Sequence, residues 1–155
     1  MAILNRYSHL RGILFDRPAA VSTAPALLAS AGVADRCSIV TGSFFESIPS
    51  GGDAYILRHI LHDWSDERCL AILHVCREAL APKARLLIVE RTMVENAQIP
   101  TSVLHADVEM LVMCGGQERT QAHYARLLAD AGFRLTNAIA TGEEPPHTIY
   151  EAVPA

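Results

Sequence analysis

Apolar positions in this chain fall into short, nearly uninterrupted runs that alternate with stretches of helical period, the pattern of strands and helices taking turns. The run Asp53-Ala-Tyr-Ile-Leu-Arg-His-Ile-Leu-His-Asp-Trp64 organises the rest. Its Tyr55, Ile56, Leu57, Ile60 and Leu61 show little polar alternation, which predicts a buried strand through Leu61, covered on both faces as in a parallel sheet. Before it, Ala2–His9 has weak helical character and Leu10–Asp16 predicts a strand that ends in an acid, with Pro18 blocking continuation. Ala24–Ala31 predicts a helix stopped by Gly32, and Cys37–Gly42 a further strand. After it, Asp66–Leu80 has Leu70, Leu73, Cys76, Ala79 and Leu80 at helical spacing and is closed by Pro82. Arg85–Glu90 predicts a second buried strand. Thr101–Cys114 predicts a helix whose Leu104, Val108, Leu111 and Val112 form an apolar stripe, broken by Gly115-Gly116. Thr120 has the character of an N-cap for a helix through Ala131, which Gly132 stops. Phe133–Ala140 and Thr148–Val153 predict the last two strands, joined by the polar segment from Gly142 to His147. The fold class is therefore α/β, in one domain of 155 residues.

Composition narrows the partners. Half the residues are hydrophobic and the formal net charge is -4, without a Lys/Arg run, so nucleic acid is not the expected partner. No apolar stretch approaches the ~20 residues of a membrane span, and the N-terminus lacks the design of a signal peptide, which makes a cytoplasmic protein the expectation. Cys37, Cys69, Cys76 and Cys114 form no CxxC pair and no cluster at zinc spacing. They are expected to be reduced, buried apolar residues, with no metal site.

Candidate chemistry gathers where strands end, because ligands of open α/β sheets sit beyond the carboxyl ends of the strands. His62 follows the central run, just before the helix start Ser65-Asp66-Glu67, and Glu90 ends the next strand on the same rim. A lone histidine there reads as a capping or half-buried polar residue. Asp16 reads equally as a turn cap or as an acceptor for ribose hydroxyls.

Three motifs in register change that balance. Leu61-His-Asp-Trp-Ser-Asp-Glu67, then Val89-Glu90, then Gly115-Gly-Gln-Glu-Arg-Thr120 resemble the signatures of the caffeic-acid-type small-molecule O-methyltransferases of plants and bacteria, which depend on S-adenosylmethionine. The resemblance runs from about Ala2 to the C-terminus. It implies a Rossmann-like class I methyltransferase sheet with helices on both faces and a C-terminal antiparallel hairpin. By the same resemblance His62 is the general base, flanked by Glu90 and Glu118. A base near pKa ~6.5 suits the removal of a hydroxyl proton at neutral pH, and a carboxylate beside it stabilises the imidazolium. Asp16, Ser43, Phe44 and Arg58 match cofactor-binding positions, although the family usually has aspartate where Ser43 stands and lysine where Arg58 stands. Asp63, Trp64, Met110 and Met113 are the candidates to line a substrate pocket. On the residues alone, Glu90 and Glu118 also read as surface acids, with Glu118 paired to Arg119, while Met110, Met113, Phe44 and Phe45 also read as core.

The family's first strand, its glycine-rich turn and its N-terminal helical dimerisation domain have no counterpart in these 155 residues: no GxGxG occurs. Two function classes follow. One is the catalytic portion of an O-methyltransferase acting on a hydroxylated small aromatic or natural-product substrate, either an excerpt of a longer protein or completed by another chain, a second copy or a complementing partner. The other is a methyltransferase-fold protein that does not methylate, performing other acid–base work or serving as an assembly partner.

Overall fold

The computed structural model describes residues 1–93, 101–142 and 147–155, and the chain forms two compact units, Met1–Ser50 and Gly51–Ala155. The predicted connection from Gly142 to His147 lies largely outside the described residues. No helix among those described is long and apolar enough to cross a membrane.

The first unit begins with α1 (Ala2–Arg6), followed by β1 (Gly12–Asp16), α2 (Ala24–Ser30) and β2 (Cys37–Thr41). Pro25 stands in the first turn of α2, where its missing N–H costs nothing, and Gly32 ends the helix region at a φ of 67°. β1 and β2 pair in parallel from Gly12↔Cys37 to Asp16↔Thr41. Leu4, Leu28 and Val33 form a small core, against which Cys37 and Ile39 pack. Arg36 ties the entry segment down by donating to the carbonyls of Leu4 and Leu10.

The second unit contains β3 (Ala54–Arg58), α3 (Asp66–Ala79), β4 (Arg85–Arg91), α4 (Thr101–Cys114), α5 (Gln121–Asp130), β5 (Phe133–Ala140) and β6 (His147–Pro154). Its sheet has the order β3-β4-β6-β5, parallel between β3 and β4 and antiparallel on either side of β6. The last strand therefore inserts between β4 and β5. Leu86 and Ile88 of β4 and Tyr150 and Ala152 of β6 are buried and pair across the ladder, on the face that also carries Glu90. Helices α3 and α5 pack on each other, and α5 packs on β5. They bury Ile72, Leu73 and Cys76 of α3 and Tyr124, Leu127 and Leu128 of α5. Both helices start on side-chain caps: Ser65 accepts from the Arg68 N–H and Thr120 from the His123 N–H.

Three expectations are corrected. The central strand stops at Arg58 and not at Leu61, and it is not uniformly buried: Ile56 is about half exposed. The physical reason for the early stop is twofold. His59 takes a φ of 52°, which no ladder accommodates, and the next two backbone N–H groups, of Ile60 and Leu61, leave the sheet to donate to Glu90 Oε1. A short 3-10 turn, Leu61–Asp63, follows. Second, the stripe Leu104, Val108, Leu111 and Val112 of α4 is exposed, and the helix buries Val103 and Ala106 instead. Val103 and Ala106 are small and lie on the other face, so helical period located the apolar face without fixing which side packs. Third, Cys114 is exposed while Cys69 and Cys76 are buried. Burial pushes the Cys69 thiol up to about 11 and the Cys76 thiol to about 12, so both are inert packing groups.

Candidate active site

A turn and a loop, distant in sequence, are spliced around His62. The turn is Ile60–Trp64, held from below by Glu90 Oε1, which accepts from the N–H groups of Ile60 and Leu61 at 2.9 Å each. The loop is Gly115–Thr120. Its start is built by glycine chemistry: Gly115 takes a φ of 70° and Gly116 N–H reaches back to the Met110 carbonyl, terminating α4. Gly116 then lies so close to the turn that a Cβ there would come within 1.9 Å of the His62 carbonyl oxygen. That contact allows Gln117 N–H to donate to the same carbonyl at 2.9 Å. Further along, Met93 N–H donates to the Arg119 carbonyl, setting the loop beside the end of β4.

Arg119 is the strut between the two. It is fully buried and donates to the carbonyls of Leu61 (2.8 Å) and Trp64 (2.7 Å), which bracket His62 and Asp63. It also donates twice to Asp66 Oδ1, at 3.0 and 2.9 Å. Asp66 in turn holds His123 through Oδ2 at 2.8 Å. Burial alone would raise the Asp66 carboxyl, but the hydrogen bonds from His123 and Arg119 outweigh it and hold the group below its ordinary 3.8. Arg119 thus pairs with Asp66 and not with Glu118, which leaves Glu118 to His62.

Within this frame His62 is buried, and its Nδ1 lies 3.2 Å from Glu118 Oε1 and 3.7 Å from Glu90 Oε2. Both carboxylates are buried as well. Where the carboxylates are ionised and only accept, a neutral imidazole carries its proton on Nδ1 and its lone pair on Nε2, which is 3.5 Å from Asp63 Oδ1. Burial alone would lower the His62 pKa. The hydrogen bond to Glu118 and the charges of Glu90, Glu118 and Asp63 outweigh it, and the net shift is upward from 6.5. Burial pushes Glu90 up to about 7, against the pull of His62 and of its two backbone donors. The Glu118 backbone is fixed by its own N–H, which donates to Asp107 Oδ1 on α4 at 2.8 Å.

The remaining predicted residues divide by unit. In the first, Asp16 ends β1, pairs in register with Thr41 and accepts the Arg17 N–H on Oδ1 at 2.7 Å. Ser43 follows β2 and accepts the Phe45 N–H; Phe44 is half-buried and edge-on to Phe45, with ring centroids 4.9 Å apart. Asp16 and Ser43 thus stand at the carboxyl ends of two adjacent parallel strands, where such folds hold nucleosides, so the donor and acceptor set fits the ribose and adenine of an adenosyl cofactor. In the second unit Arg58 is the exposed last residue of β3. Asp63 and Trp64 follow His62 on the turn, and the Arg68 guanidinium lies 4.8 Å over the Trp64 ring. Met110 is half-buried, whereas Met113 is exposed and not core.

Sequence reasoning passed over Arg119, Gly116, Asp107 and His59. The first two were visible as part of the third motif, and nothing local marks the others.

The fold agrees with the comparisons. Residues 1–134 match the O-methyltransferase domain family, and the chain belongs to it. It is 44% identical over 140 residues to a phenazine O-methyltransferase of Lysobacter antibioticus, covering 90% of this chain and 41% of that protein. It is 39% identical over 144 residues to a mitomycin biosynthesis 6-O-methyltransferase of Streptomyces lavendulae, covering 93% and 41%. The chain thus spans about two-fifths of the length of these relatives. An O-methyltransferase from neocarzinostatin biosynthesis, solved with S-adenosylmethionine and 2-hydroxy-5-methyl naphthoic acid, superposes with a TM-score of 0.88 at 30% identity, over 99% of this chain and 44% of that one. The family and such ligand-bound neighbours support S-adenosylmethionine as the cofactor.

Proposed function

We propose that this chain is the catalytic portion of an O-methyltransferase that methylates a hydroxyl of a small aromatic substrate, with His62 as general base. The observation that carries the reading is the buried His62 with Nδ1 facing two buried carboxylates. S-adenosylmethionine, when bound, supplies an electrophilic methyl group. In the first unit Asp16 would accept from its ribose, and Ser43 and Phe44 would meet its adenine; in the second, Arg58 is the candidate cofactor-binding residue. His62 Nε2 takes the proton from the attacking hydroxyl, so that the oxygen does not carry it into the product. The resulting imidazolium is stabilised by Glu118, which holds the Nδ1 proton, and by Glu90, whose Oε1 is occupied by two backbone donors and so cannot rotate away. Asp63, Trp64, Met110 and Met113 are the residues proposed to border the substrate. The aromatic character of the substrate rests on the naphthoic acid named for the neighbour and on the phenazine named for the relative.

The test is methyl transfer from labelled S-adenosylmethionine to a panel of hydroxylated naphthoates, phenazines and benzoates, with the His62→Gln variant beside the wild type. Loss of general-base help is expected to lower kcat by roughly 10²–10⁴-fold with little change in cofactor binding. Equal turnover by the two proteins would remove His62 from the role. Cofactor binding without turnover of any hydroxylated substrate would favour the non-methylating class.

A further inference from the structure

We propose that His59, His62 and Glu90 form a binding site for a divalent transition cation, Zn²⁺ by ligand type, and that the bound ion withholds His62 from catalysis. Each of the three offers a ligand atom, and these atoms lie within 4.8 Å of one another. Around tetrahedral Zn²⁺, with ligand distances of about 2.0–2.2 Å, two ligand atoms stand about 3.4 Å apart, so closing the site asks for side-chain movements of about an ångström. Two imidazoles and one carboxylate are a set that leaves a fourth position open for water. Nitrogen donors favour Zn²⁺ and its transition-metal neighbours over Mg²⁺ or Ca²⁺.

Two independent features point to an occupant. The first is Glu90 Oε2: the carboxylate is fully buried, Oε1 has two backbone donors, yet Oε2 has no hydrogen-bond partner among the described residues. Its charged neighbour, His62 Nδ1, stands 3.7 Å away; a buried carboxylate oxygen without a hydrogen bond is costly, and a cation satisfies it directly. The second is His59, the only non-glycine residue with positive φ among those described. Such a backbone is strained and is found at functional sites, where the surrounding structure holds it. Here it sets the His59 ring against His62, with centroids 5.1 Å apart. His147, at the start of β6, places its Nε2 3.0 Å from His59 Nε2 and so holds the ring from outside, as outer partners of metal ligands do. The chain positions of the three ligands, spread over two strand ends, explain why no spacing pattern betrays them.

The inference concerns a second ligand of the His62 cluster and does not depend on what the protein methylates; it is read by binding, without turnover. Co²⁺ is titrated into metal-stripped chain and followed by visible absorption, and Zn²⁺ binding is measured by calorimetry. Expected are one ion per chain, the strong visible bands of low-coordinate Co²⁺, displacement by Zn²⁺ and none by excess Mg²⁺. His59→Asn, a residue that tolerates the same left-handed backbone, is expected to weaken Zn²⁺ at least tenfold, and His147→Ala to weaken it less. Absence of saturable 1:1 binding at about 100 μM Zn²⁺ overturns the proposal and leaves Glu90 Oε2 to an ordered water. Binding that is unchanged in His59→Asn overturns it too, because the ion then sits on other histidines.

Discussion

Helix α4 and the loop that follows it reverse the ordinary relation between polarity and burial. Leu111, Val112 and Met113 at the end of the helix are 65%, 79% and 71% exposed, whereas Glu118 and Arg119 a few residues later are 4% and 1% exposed. The difference shows what each segment is held by. The helix keeps its backbone bonds within itself and touches the rest of its unit through a few small residues, such as Val103 and Ala106. The loop has no regular structure, so its backbone and charges are satisfied by the turn it embraces: Gln117 on His62, Glu118 on Asp107 and His62, Arg119 on Leu61, Trp64 and Asp66. Buried charge is tolerable only when paired and hydrogen-bonded, and here nearly every partner comes from the segment being positioned. The loop is thus a polar clamp, and α4 is a rigid lead-in to it.

This contrast predicts a graded series. Arg119→Ala should have the largest effect, since it removes the strongest donor of the Leu61 and Trp64 carbonyls and the guanidinium partner of Asp66; about 2–5 kcal/mol of stability is expected to go, read as a shifted urea midpoint. If it unfolds no more easily than wild type, the clamp is not what holds the turn. Gly116→Ala forces a Cβ into the His62 carbonyl and should cost about 3 kcal/mol; because the turn must move, the same variant should lose turnover even where it remains folded. Asp66→Asn acts through pH. The folded carboxyl is held below 3.8, so its stabilisation is present above that value and is lost as pH falls through the lower, folded-state pKa. The wild type should therefore lose stability below about pH 4 more steeply than the variant, as thermal melts across pH 2–6 would show. At the other end, Val112→Ser on the exposed face of α4 should change stability by less than about 0.5 kcal/mol. A larger loss in the same melts would mean that this face is covered in solution.

The sequence by itself determined most of the secondary structure and the identity of the candidate base and its two carboxylates. Strand runs such as Arg85–Glu90, the caps Ser65 and Thr120, and the stops Gly32, Gly115 and Gly132 are local signals, and each acts within a turn or two of itself. His62, Glu90 and Glu118 were legible only because three motifs occur in register; their chemistry separately was ambiguous. What tertiary structure alone decided is where burial and partnership fall. The central strand yields its last backbone donors to Glu90, from another strand, so its apolar run overstates its length. The side of α4 that packs depends on which neighbours reach it, and its periodicity is the same on either choice. Arg119 pairs with Asp66 because the two turn carbonyls and the Asp66 carboxylate converge on one guanidinium, a meeting of residues 53 and more positions apart that no pattern along the chain encodes.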